Sequence, residues 1–199
     1  MNVKLKKTFE FFAGLVYDDE LVLNQYKLVL HMTTACMDPV QQNIAYDRIS
    51  YWINNVINNA FLLSVNSKLL DAYRATGHRC ITFPQDPADQ LVSTMLYLKL
   101  NAICEDRLVA TKIELSSKYG EEITYLHYAG EDVGPFEKSG WWNDCRPFWL
   151  DAKKKKTLSK VISMERMPEW SDLELSWQDP NSKDSSTVVF ADFPKNDNK

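Results

Sequence analysis

The stretch that most constrains this chain is Gly134-Pro135-Phe136-Glu137-Lys138-Ser139-Gly140-Trp141-Trp142-Asn143-Asp144-Cys145-Arg146-Pro147-Phe148-Trp149. Three of the six tryptophans fall between positions 141 and 149, punctuated by glycine and proline. Loops are normally polar and lie in water, so a loop this apolar has to bury its rings against its own domain or against a partner. Two fates follow. The loop is either a lid that closes one end of the fold, with Trp141 and Trp142 facing opposite sides, or a contact surface. As a contact surface its working residues are Phe136, Trp141, Trp142, Arg146, Phe148 and Trp149, since Trp and Arg dominate interface hot spots.

The surrounding sequence supplies the frame. Val3, Leu5, Phe9 and Phe11 alternate with polar residues, and Tyr26, Leu28, Leu30 and Met32 do the same. The two runs predict strands that pair as an antiparallel hairpin through a turn at Asp18-Asp19-Glu20, with Asn24-Gln25 marking a bulge. Asp38-Pro39 predicts a helix start, because Asp can cap the free amides and Pro at the first position forfeits no hydrogen bond. Helical spacing then runs from Val40 to Ile57. Ala60–Leu63 and Cys80–Phe83 are short buried strands, on either side of a short helix at 66–74 that Gly77 stops. Asp86-Pro87 repeats the capping device ahead of a second long helix, Leu91 to Cys104, with a wide apolar surface. Val109–Leu115 and Ile123–His127 form a closing hairpin across the loop at 116–120.

Hairpins at both ends with helices between them predict an α+β fold: an antiparallel sheet built from the terminal hairpins, with two long helices packed on it. Residues 1–150 form the single domain. Residues 151–178 make a basic, partly helical appendage, and 179–199 an acidic polar tail expected to be mobile. Charge supports this division. Of 23 basic and 27 acidic residues, residues 168–199 carry three and seven, so the rest of the chain is neutral. A neutral body gives no reason to expect non-specific DNA binding, except at the run Lys153, Lys154, Lys155 and Lys156. That run follows the tryptophans directly. Together they could form a single-stranded nucleic-acid module, with bases stacked on the rings.

Catalytic signatures are sparse. His31 in Leu30-His31-Met32-Thr33 has the His-x-Thr form that, in duplicate, serves phosphoester hydrolysis, but His78 and His127 lack the threonine two positions on. A phosphoesterase or nuclease using His31 is the enzymatic alternative. No phosphate-binding glycine loop or nucleophile elbow occurs, and no cofactor or metal is expected. Cys36, Cys80, Cys104 and Cys145 are widely spaced and read as free thiols. The N-terminus carries no apolar leader, and no run approaches a membrane span, so a cytoplasmic protein without membrane partners is expected.

Residues 83–149, through Phe83-Pro84-Gln85-Asp86-Pro87-Ala88-Asp89-Gln90, Lys99-Leu100-Asn101-Ala102-Ile103, Leu115-Ser116-Ser117, Gly134-Pro135-Phe136 and Gly140-Trp141-Trp142, resemble small uncharacterised proteins of large tailed phages of the T-even-like and marine type. The resemblance covers a third of the chain and implies no catalytic residues. It implies a viral protein working in a bacterial host cytoplasm, and the leading expectation is an accessory protein that is not an enzyme. Through the aromatic loop such a protein would bind a host or viral protein, or itself.

Overall fold

The structure, a computed structural model, describes residues 3–147 and 168–178. Its first element pair is a long hairpin, β1 (Lys4–Tyr17) and β2 (Glu20–Thr34), whose register runs unbroken from Lys4↔Thr33 to Tyr17↔Glu20. Asp18 and Asp19 both adopt positive φ, which gives the two-residue connection a twist that matches the strands. No bulge occurs at Asn24-Gln25. Those residues pair with Ala13 and Phe12 in register, and the irregularity lies instead at His31/Met32, where β2 meets β5.

Helix α1 (Pro39–Tyr51) begins as its sequence dictates, with Asp38 Oδ1 accepting from the Val40 amide at 2.9 Å. It does not continue as one long α-helix. Over Trp52–Ile57 the backbone widens into a π-helical turn, in which Trp52, Ile53, Val56 and Ile57 are all buried. The chain then enters β3 (Ala60–Ser64), crosses through α2 (Leu70–Ala75), and returns as β4 (Cys80–Phe83). Helix α3 (Asp89–Cys104) is the long helix of the fold. Its N-cap is Ala88, with no side-chain capping bond, so Asp86-Pro87 does not work as Asp38-Pro39 does. The closing strands are β5 (Leu108–Ser117) and β6 (Tyr125–Tyr128).

The six strands lie in the order β4-β3-β1-β2-β5-β6. The expected antiparallel sheet with two long helices is therefore corrected on both counts. β3 runs parallel to β1 and β4 parallel to β3, so the sheet is mixed, and only α3 is long. The cause is the connections. The path from β2 through α1 brings β3 back antiparallel to β2 and so parallel to β1, and the crossover through α2 returns β4 in the direction of β3, whereas the two hairpin turns reverse the chain.

The helices α1 and α3 cover one face of the sheet. Between them and the strands lies the main core, including Phe11, Tyr26, Leu28, Trp52, Ile53, Leu96, Leu100 and Ile113. A satellite cluster of Val16, Leu63 and Leu70, with Phe61 and Tyr73 against it, joins α2 to the opposite face. Gly14 makes this possible. A Cβ there would meet the Phe61 ring and sit 2.9 Å from Leu21 Cδ1. Gly14→Val should destabilise the protein by about 1–3 kcal/mol through overpacking. In urea unfolding the penalty should shrink in the Gly14→Val/Phe61→Ala double variant; strict additivity would show that the ring is not what the valine meets.

Candidate functional site

Position 99 lies on the sheet-facing side of α3, in series with Val92, Met95, Leu96 and Ile103, and it holds a lysine with no exposed surface. A buried ammonium is tolerable only if its donors are satisfied. Lys99 Nζ donates to the carbonyls of Asp144 at 2.6 Å, Arg146 at 2.9 Å and Trp141 at 3.4 Å. All three belong to the aromatic loop. Burial pulls the Lys99 pKa down to about 8, partly opposed by nearby Asp144.

The rings follow the same direction. Phe136 and Trp142 are buried in the core, their rings edge-to-face at 5.0 Å, and Phe136 packs on Phe83 at 6.1 Å. Trp142 Nε1 donates to the Phe136 carbonyl at 3.2 Å. Half-buried Trp141 donates through Nε1 to the Thr82 carbonyl of β4 at 2.9 Å. Of the residues expected to meet a partner, Phe136 and Trp142 thus offer no free ring face, and Arg146 is exposed but paired with Asp144. This segment is built as a lid. Phe148, Trp149 and Lys153, Lys154, Lys155 and Lys156 lie outside the described residues.

A second buried cation holds the returning segment 168–178. Arg48 donates to the carbonyls of Leu175 at 2.7 Å and Ile103 at 3.2 Å, and to Glu105 Oε1 at 2.8 Å. Its guanidinium lies 3.6 Å from the Trp177 ring centre and 4.7 Å from that of Trp170. Trp170 Nε1 in turn donates to the Cys145 carbonyl at 2.6 Å, which links this segment to the lid.

The opposite sheet face is different. Apart from the part under α2, no described element covers it. Cross-strand register sets Lys6, His31, Lys112 and Tyr128 in one row, and Glu10, Lys27 and Ser116 in another. His31 Nε2 lies 2.8 Å from Glu114 Oε1, and Lys112 Nζ reaches the same oxygen at 2.8 Å. Lys112, and then His31, hold the Glu114 carboxyl below its ordinary range. The other histidines are elsewhere. His127 faces the helices, 4.6 Å from the Tyr97 ring, and His78 packs 4.8 Å from Phe61. The second histidine that acid–base chemistry at a phosphate ester requires is not brought to His31. Among the described residues no three His, Cys, Asp or Glu side chains gather as a metal site, and no helix is long and apolar enough to cross a membrane.

Toward the turn of the long hairpin this face becomes apolar. Phe12, Leu21 and Leu23 are exposed, Leu23 by 80%, and register places Leu23 opposite Gly14, beside Phe12. Along the Glu10–Lys27–Ser116 row lies a polar groove of about 440 Å³, lined also by Lys118 and Glu122.

These features define a mixed-sheet α+β protein with one sheet face closed by helices and a tryptophan lid and the other, among the described residues, covered only in part by α2. No family model matches the chain, and no curated protein does. Among solved structures it is similar to an uncharacterised protein from Wolinella succinogenes, with 13% identity and a TM-score of 0.48 over 65% of this chain and 99% of that one. It is also similar to 6-pyruvoyl tetrahydropterin synthase of Plasmodium falciparum, with 14% identity and a TM-score of 0.39 over 64% of this chain and 98% of that one. Likenesses this distant carry no functional argument.

Two outcomes check the lid. Trp142→Ala should cost about 3–5 kcal/mol of stability, as removal of a large buried ring does. Lys99 gives a pH signature. Its folded pKa of about 8 lies below the ordinary 10.5, so across that window the unfolded chain holds a proton that the folded chain has released. Stability should therefore rise with pH between those values, by roughly 3 kcal/mol at most, and the rise should be missing in Lys99→Met. Parallel pH profiles for the two proteins in urea titrations would contradict this account of Lys99.

Proposed function

We propose that this chain is a non-enzymatic binding protein whose contact surface is the open face of the sheet, and that its partner is another protein. The observation that carries the reading is the apolar patch of Phe12, Leu21 and Leu23, set beside charged cross-strand rows on a face that no described element covers apart from α2. Three large side chains exposed side by side on paired strands are costly to leave in water, and contiguous patches of this kind mark interaction sites. Their polar surroundings fit a partner that comes and goes better than a permanent one. The lid supports the same reading by elimination: its core rings stabilise the fold and are not presented outward. If the chain is a phage accessory protein, as its resemblance over residues 83–149 implies, the partner is a host or viral protein.

A nucleic-acid reading has less support, because Glu10 and Glu114 interrupt the basic residues on this face. Leu23→Glu separates the possibilities. Used as bait in host lysate, it should lose a partner that the wild type retains while its thermal midpoint stays within a few degrees, as a surface change should. Retention of that partner by Leu23→Glu and by Phe12→Ala would sink the assignment of this face.

A further inference from the structure

The strand order places β1 inside the sheet, yet only part of β1 is enclosed. Its pairing with β3 covers Ala13 to Leu15. Asn58 and Asn59 serve the next residue back: Asn58 Oδ1 accepts from the Phe12 amide at 2.9 Å, and the Asn59 amide donates to the Phe12 carbonyl at 2.7 Å. Before Phe12 the strand has β2 on one side and, among the described residues, no strand on the other. The hairpin decides which groups this leaves. Its two-residue turn makes Tyr17 and Glu20 a hydrogen-bonded pair, so odd-numbered residues of β1 bond to β2 and even-numbered ones point away. The outward bonds at Phe12 agree, as does the inward bond from the Thr34 amide to the Val3 carbonyl at 3.0 Å. The amides and carbonyls of Lys4, Lys6, Thr8 and Glu10 therefore face outward. Nothing on either face shields this length of edge, since every residue from Lys4 to Thr8 is exposed. Val3 and Leu5, on the face that carries Phe9 and Phe11, are exposed by 43% and 37%.

An open edge of this kind takes another strand through its backbone groups. We propose that it takes the same edge of a second copy of this chain, giving a two-fold dimer whose sheets join through adjacent antiparallel β1 strands. Self-complementarity favours a second copy over any other strand. An antiparallel pairing centred on Lys7 sets Lys4 opposite Glu10 and Lys6 opposite Thr8, and the two-fold axis repeats both pairs. Every outward amide and carbonyl of the four residues is then bonded. A shift of register by two residues in either direction leaves one of the four without a partner. The same register brings unlike charges together twice, with Lys4 of one copy beside Glu10 of the other; Glu10 has Lys27 on its inner side. On the opposite face Leu5 meets Phe9, which covers apolar surface that a single copy leaves in water. One like-charged contact arises, Lys7 with Lys7 on the axis. It is eased because each Lys7 Nζ lies over the Phe9 and Tyr46 rings of its own chain, at 6.0 and 5.9 Å. This edge is separate from the outer strands β4 and β6 and from the apolar patch at Leu23.

The test uses the full chain. Sedimentation equilibrium at micromolar concentration should give twice the 23.1 kDa mass of one chain. Thr8→Pro removes an outward amide while leaving the β1–β2 ladder its bonds, and it should shift the protein to monomer. Lys4→Glu and Glu10→Lys should each weaken the dimer roughly tenfold by setting like charges across the axis. The double swap Lys4→Glu/Glu10→Lys should restore it, because the two side chains are six residues apart within one chain and meet only between copies. Leu23→Glu, on the open face, should remain a dimer. A monomeric wild type would overturn the inference, and so would a dimer that survives Thr8→Pro. Swaps that fail to restore one another would overturn it too, and they decide alone if circular dichroism shows that Thr8→Pro does not fold. Loss of the dimer in Leu23→Glu would move self-association to the open face and end the assignment to β1.

Discussion

The Lys99 side chain gives the lid buried hydrogen-bond donors that no apolar side chain could supply, even though burial disfavours its charge. It sits on the buried face of the long central helix and reaches three carbonyls of one loop. Those carbonyls would otherwise face the protein interior unpaired, and the charge would otherwise face it uncompensated; each makes the other affordable. Once that bond set is made, the rest of the lid follows. Trp142 falls against Phe136 and Phe83, and Trp141 reaches the backbone of β4. Arg48 repeats the device at the other end of α3. It accepts no hydrogen bond itself, but gives the Ile103 carbonyl a donor where helical partners run out, and it gathers Trp170 and Trp177 onto its guanidinium faces.

Both buried cations lie on the helix-covered side, and their work there explains why the molecule is so unequal across its sheet. Trp141 and Trp142, which look like binding residues in a linear reading, help to close one side. The other side keeps Phe12, Leu21 and Leu23 in water beside a row of Lys6, His31, Lys112 and Tyr128. His31 and Glu114 do make a close pair, but on an open strand face shared with Lys112 and without a second acid–base group aimed at a common point. Such a pair fixes side-chain positions across β2 and β5 more readily than it moves protons.

Where apolar alternation was clean the elements were legible: the two hairpins, the short strands at Ala60 and Cys80, and the capped start at Asp38-Pro39 all form. Direction was not legible. Nothing local in Ala60–Ser64 or Cys80–Phe83 says that these strands run parallel to β1, because strand order is set by how the crossovers pack. Asp86-Pro87 looks identical in kind to Asp38-Pro39, yet Asp89, three residues on, is drawn to Ser117 and the helix starts there uncapped. The π-turn at Trp52–Ile57 was hidden because its residues read as helix at either spacing. The candidate site was half visible. The loop was found, but the inward direction of its rings depended on Lys99. A signal for that existed: position 99 continues the apolar series of Val92, Met95, Leu96 and Ile103, and a lysine there calls for buried carbonyls.

The two sheet edges bear on where association can occur. An exposed strand edge is the commonest route by which β-proteins pair, and proteins that avoid it block the free backbone groups. Here both outer strands are only four residues long. On β4 the Thr82 carbonyl takes the Trp141 indole, and on β6 the Tyr128 amide takes Glu131 Oε2 at 2.9 Å. Short, occupied edges leave little for another strand to add to. With the helical face closed by the lid and the outer edges blunted by side chains, the face of β1, β2, β5 and β6 that the described residues leave uncovered is a broad surface with exposed apolar side chains.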